Sequence, residues 1–185
     1  MKTDSDILTI KAVLLYILER IPDTKRSVYF VVKTAFYAQR NHLAQWGTPL
    51  FEDDICALPF GPVPSTTYDI LKGVRGKELQ DTRLIDAAKS IYLSNEDFFP
   101  TESADMDYLS ESAIDCINQA LAEISQKSFA EILDTTHESQ EYLDAYKYGK
   151  GLKIMNPINI ARDAGADEGM QEYISEYYEL KIALG

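Results

Sequence analysis

The chain has 185 residues, 45% hydrophobic and 26% charged, with a net charge of −12; this suits one globular domain, alone or with an appended segment, and excludes a disordered or collagen-like chain. The charge is uneven: residues 1–94 carry 12 Lys/Arg against 11 Asp/Glu, and residues 95–185 carry 6 against 19. An acidic half repels phosphate backbones and anionic lipid and speeds encounter with a basic partner, unless it serves only as a solubilising face.

Residues 5–21 place Ile7, Ile10, Leu14, Ile17 and Ile21 on one stripe widened by Leu8, Leu15 and Leu18, which predicts a central helix capped by Ser5 or Asp4 and stopped by Pro22. Asp4 and Asp6 stand where a secretory leader is positive, and no cleavage site follows AVLLYIL, so this segment reads as a helix rather than a leader. Residues 27–45 read as a second helix despite a β-branched opening, with Gly47 ending it and Lys33 interrupting an apolar run too short to cross a membrane. The expected location is therefore the cytoplasm.

An extended stretch over 50–60 leads into GPVPSTTYDILKG, with a third helix over about 64–73. Pro62 and Pro64 remove two of the N–H donors a phosphate loop needs, so GPVP reads as a rigid strand-to-helix corner or a rigid surface for another protein. SIYLS and DFFPT flank Asn95-Glu96 as a small β-hairpin. Ser110 caps a helix carrying Ile114, Ile117, Leu121 and Ile124, and two short helices meet near 135–139. Gly149 and Gly151 break the chain, NPINIARDAG adds a turn or two, and a last helix places Met170, Tyr173, Ile174, Tyr177 and Leu184 on one face. The fold class expected is mainly α, a compact helical domain with a small β-hairpin or short β element.

Reactive side chains are few. Cys56 and Cys116 lie sixty positions apart without a CxxC pair and read as reduced, buried thiols. Only His42 and His137 offer imidazole chemistry; His137 and Glu141 have the i, i+4 spacing of two helical metal ligands, with a capping or core-edge histidine preferred. Glu52, Asp53 and Asp54 read as solvent-facing rather than cation-binding. No catalytic motif is present, so neither an enzyme nor a cofactor or metal is expected. Lys25, Arg26, Arg40, Lys72, Arg75, Lys77 and Arg83 are scattered, a poor nucleic-acid surface. Tyr173, Tyr177 and Tyr178, among acids, suit core packing first and a tyrosine-rich interface second.

Taken together, Gly47 and Leu50, then Ala57, Gly61, Pro62, Val63 and Tyr68, then Leu133, Thr136 and His137 give the chain a pattern that resembles the Panacea domain, the SocA-like antitoxin family, over roughly residues 8–147. The resemblance implies a mainly helical protein that neutralises a cognate toxin by direct binding, in some members as a proteolytic adaptor working with a protease chaperone. It implies a Panacea-like helical domain over 1–149, with 150–185 as a C-terminal helical extension packed on or beside it. Gly61, Pro62, Val63, Tyr68 and His137 carry the family pattern, as scaffold or as contact. For the partner-binding face the choice is Glu172, Tyr173, Glu176, Tyr177 and Glu179, facing a basic toxin. A DNA-associated regulator of its own operon, or a phage-associated regulatory protein, is the alternative.

Overall fold

The computed structural model describes residues 2–149 and 153–184. The wide stripe of the first segment folds as α1 (Asp4–Arg20), which buries Ile7, Ile10, Leu14 and Ile17 and also Ala12, Val13, Leu15 and Leu18. A helix apolar on so many sides needs neighbours on several flanks. Its cap is Thr3 rather than Ser5 or Asp4: the Thr3 hydroxyl accepts from the Asp6 N–H and the Asp6 carboxylate accepts from the Thr3 N–H, a reciprocal box no nearer residue can make.

The β-branched start of the second segment does not prevent α2 (Val28–Trp46), because Val31, Val32, Ala35, Phe36 and Ala38 are buried and packing outweighs propensity. Gly47 ends it at φ 69°, with the Tyr173 ring lying where a side chain would go. The helix runs longest against α5 (Glu111–Gln126), capped by Ser110 as expected and burying Cys116, Ile117, Ala120 and Ile124. His42 ties this pair together: one ring nitrogen donates to the Thr48 carbonyl at 2.7 Å and the other lies 3.1 Å from the Ser112 hydroxyl.

The corner around GPVP is itself a strand. β1 (Ile55–Leu58) pairs antiparallel with β2 (Gly61–Pro64), in the register Cys56 to Val63 and Leu58 to Gly61. Ile55 and Ala57 bond outward instead, Ala57 N–H to the Lys153 carbonyl at 3.0 Å and Met155 N–H to the Ile55 carbonyl at 2.8 Å. The two prolines therefore occupy the positions of β2 that need no ladder donor, which is why a strand tolerates them. Residues 153–155, beyond the family-like stretch, cover the other edge of β1.

α3 (Ser65–Val74) follows directly. Here the acidic cluster departs from expectation: the Asp53 side chain is fully buried rather than solvent-facing. With proline before the helix, its first N–H groups lack a local cap, and Asp53 supplies one from the preceding loop. Its carboxylate accepts from Thr66 N–H and Thr67 N–H, both at 3.0 Å, and from the Ser65 and Thr67 hydroxyls, with Lys2 3.5 Å away. Asp53→Ala is expected to lower stability by about 3 kcal/mol, read from urea unfolding, since four donors lose one acceptor. A loss below about 0.5 kcal/mol would show that water replaces the carboxylate.

α4 (Thr82–Lys89) lies in a stretch where the sequence indicated only the hairpin; it is short and fully buries only Ala87, so its period is faint. β3 (Ile91–Ser94) and β4 (Asp97–Pro100) form that hairpin, with Asn95 and Glu96 at φ 49° and 69° as a two-residue turn. Then α6 (Phe129–Glu138) and α7 (Gln140–Tyr148) meet at Ser139, which ends one and caps the other. Gly149 closes α7, while Gly151 lies outside the described residues. α8 (Pro157–Asp163) and α9 (Glu168–Leu184) complete the chain. α9 differs in its buried face, which centres on Ile174; Tyr173 is half exposed and Leu184 is 87% exposed. The described residues thus form nine α-helices and two small antiparallel hairpins, mainly α with short β elements.

Candidate protein-binding site

β2 turns its free edge toward α2 and α6. With no strand on that side, the Pro62 carbonyl needs another donor, and Lys33 of α2 provides it: Nζ lies 2.7 Å from that oxygen and is fully buried. Burial without a counter-charge pushes the Lys33 ammonium down to about 7. Gly61 sits at φ +91° above this contact, and a Cβ there would stand 2.6 Å from Thr136 Oγ1 and 2.8 Å from Lys33 Nζ. Thr136, in α6, donates back to the Ile132 carbonyl, which holds its hydroxyl in place.

On the other strand of the hairpin, the Tyr142 hydroxyl of α7 donates to the Leu58 carbonyl at 2.9 Å. The His137 ring stacks on Tyr142 at 4.7 Å and 7°, with its Nε2 buried and unpartnered among the described residues. His137 and Glu141 do not form a ligand pair: Ser139 divides them between two helices, and Glu141 turns its carboxylate to Asn156 N–H and Asn159 Nδ2 of α8. No cluster of three metal-ligating side chains occurs among the described residues.

The structure therefore joins Gly61, Pro62 and His137 in one junction, with Val63 buried in the core. Tyr68 takes no part in these contacts; it is half-buried on α3 with Lys72 Nζ 4.5 Å over its ring. Lys33 and Tyr142 complete the junction although neither stood out as a site residue. The sequence clue to Lys33 is a lone cation inside the apolar run VYFVVKTAFYA. Both thiols are buried, and desolvation pushes Cys116 up to about 11 and Cys56 upward, away from reactivity.

Two further surfaces are exposed. At the hairpin tip Phe60 is 63% exposed and meets Phe129, whose ring lies 4.3 Å from that of Tyr29. The outer face of α9 carries Glu172, Glu176 and Glu179, all exposed, beside half-exposed Tyr173. Tyr177 faces inward instead, its hydroxyl donating to Glu52 at 3.3 Å, and Lys181 pairs with the same carboxylate. Tyr178 packs against the core, where burial raises its hydroxyl well above the usual phenol range. Of the scattered cations, Arg26, Arg40, Lys72, Arg75 and Arg83 are each paired with a carboxylate, and Lys25 donates to the Lys127 carbonyl. No helix among the described residues is long and apolar enough to cross a membrane.

The helical scaffold is thus built round a proline-edged hairpin, with an aromatic tip and an acidic outer helix. The chain belongs to the family described as antitoxin SocA-like, Panacea domain, whose match spans residues 31–142. That span runs from near the start of α2 to Tyr142 and so contains the whole junction, while α8 and α9 lie beyond it. Comparison with curated proteins and with solved structures gives no match.

Proposed function

We propose that the protein neutralises a cognate toxin by direct, non-catalytic binding, and that the outer face of α9 contacts a basic partner. The observation that carries this reading is the face itself. Glu172, Glu176 and Glu179 point away from buried Ile174, and Leu180 at 62% and Ile182 at 81% exposure continue the helix beyond its contacts with the core. An acidic helix with apolar residues left uncovered suits a partner of opposite charge that supplies the missing packing. Family membership supports an antitoxin role; the junction holds the scaffold, and α9, outside the matched span, carries specificity. The pairing of most candidate cations with carboxylates weighs against DNA as the partner.

The test is co-expression with the product of the adjacent reading frame, with toxicity suppressed by this chain and restored when Glu172, Glu176 and Glu179 are changed to Lys. The triple change is expected to slow association about tenfold or more while moving the melting temperature by no more than a few degrees, because all three side chains are exposed. A neighbour harmless alone, or still toxic beside this chain, overturns the antitoxin reading. Unchanged association by the triple variant instead moves the contact elsewhere, with the aromatic hairpin tip as the next surface to mutate.

A further inference from the structure

A hairpin of two strands leaves two outer edges, each a row of main-chain groups open to pairing. Three of the four edges in the two hairpins are met from within the chain. Residues 153–155 pair with β1, the Lys33 ammonium takes the Pro62 carbonyl of β2, and on β4 the Phe98 N–H donates to the Arg26 carbonyl at 3.0 Å. The outer edge of β3 is different. Ser94 faces Asp97 and Tyr92 faces Phe99 across the two-residue turn, and these pairs exchange the ladder bonds, which turns the N–H and C=O of Ile91 and Leu93 outward. No hydrogen bond is found for those groups among the described residues.

Proline, charge or a bulge commonly blunts such an edge; β3 reads Ile91-Tyr92-Leu93-Ser94 in an unbroken register and has none of them. Beside it runs an open groove of about 480 Å³ with Val74, Leu79 and Ile85 in its apolar wall. Ile91, Tyr92 and Leu93 all border the groove. Successive strand residues point to opposite faces, so three in a row share one wall only along an edge, and β4 occupies the other edge. The lining holds Lys77 and Lys89, both exposed, and no acid. The nearby carboxylates stand outside it and are engaged, Glu96 with Arg75, Asp86 with Lys89 and Glu78 with Gln80. Lys77 has no carboxylate partner among the described residues, and the exposed pair of Lys89 with Asp86 yields at little cost to another carboxylate.

We propose that β3 accepts an extended acidic segment of a partner protein as an added strand. The main chain of the segment pairs with the free N–H and C=O of Ile91 and Leu93, its apolar side chains enter the groove, and its carboxylates meet Lys77 and Lys89. A second copy of this chain suits the edge less well, because β3 laid against β3 about a twofold axis would bring the lysines of both copies together. The edge shares no residue with the α9 face and selects the opposite charge, so it stands whether or not α9 meets a toxin.

Fluorescence anisotropy of the full chain with a labelled heptapeptide of alternating Glu and Val tests this. The acidic peptide is expected to bind, and the same peptide with Lys in place of Glu is not. Two further forms, N-methylated at odd or at even amides, read the strand itself: the valine face fixes the register, so only one set of amides points at β3. Methylation of that set is expected to weaken binding about tenfold or more, and methylation of the other set to leave it unchanged. Lys77→Glu together with Lys89→Glu is expected to weaken binding about tenfold, with a melting curve to check that the variant folds. The inference is overturned if the acidic peptide does not bind at millimolar concentration, if the Lys peptide binds as well, if the two methylated forms behave alike, or if the charge variant binds like the wild type. A dimer in sedimentation that the acidic peptide dissociates would make a second copy the occupant and overturn the assignment to a partner.

Discussion

Adding one methyl group at Gly61 is expected to cost the fold about 3 kcal/mol, the sum of a backbone that disfavours it and a space that is already filled. Gly61 has φ +91°, where a side chain is strained by roughly 1 kcal/mol. The new Cβ would also press on Thr136 Oγ1 at 2.6 Å and Lys33 Nζ at 2.8 Å. Neither atom can yield freely, because Thr136 is held by the Ile132 carbonyl and Lys33 by Pro62. Gly76 separates the two contributions: it has the same φ of +91° with nothing within 4 Å of a Cβ. Gly76→Ala should therefore show only the backbone part, and urea unfolding of both variants should differ by about 2 kcal/mol. Thr136→Ala in the Gly61→Ala background should recover part of the loss, a coupling measurable in a double-mutant cycle. Equal losses for the two glycine variants would mean that the hairpin can lift from α6 without penalty.

The same junction shows what one sequence can and cannot reveal. Helices α2 and α5 were legible because their ends are marked locally, by Gly47 and by Ser110, and their apolar period is long. The β3–β4 turn was legible in Asn95-Glu96. α4 was not, since eight residues with one fully buried side chain give too little period to read. GPVP was understood as rigid, but its pairing depends on residues 153–155, which take up the outward-facing groups of Ile55 and Ala57 some hundred positions earlier. Asp53 looked like one of three surface acids, and only the path of the chain brings it to the start of α3. The acids of α9 were chosen as an exposed set; Glu172, Glu176 and Glu179 are exposed and Tyr177 is not, because the contact stripe centres on Ile174 and Tyr178. Local chemistry was readable; long-range pairing was not.

Lys33→Met is expected to reverse the order of stability between neutral and alkaline pH. The Lys33 ammonium falls from an ordinary 10.5 to about 7 on folding because it is buried without an acid beside it. Between those two values the unfolded chain holds a proton that the folded chain has released, so stability rises with pH across that window and is flat below it. At 1.36 kcal/mol per unit, the lysine penalises folding at pH 7 by on the order of 4 kcal/mol, and by less than about 1 kcal/mol at pH 10. Methionine fills a similar volume and carries no charge, so the pH term disappears, while the Pro62 carbonyl loses its donor at a loss of about 1–2 kcal/mol. The variant should thus be more stable than the wild type at pH 7 by roughly 2 kcal/mol and less stable at pH 10 by roughly 1 kcal/mol. Urea unfolding of both proteins at the two pH values reads this directly, because other titrating groups are common to the pair. Parallel pH profiles would mean that the ammonium stays charged and hydrated in the folded state. A crossing would show that the chain keeps, under its GPV hairpin, a lysine that weakens it at neutral pH; the hydrogen bond to Pro62 is then retained for the hairpin position it sets, not for net stability.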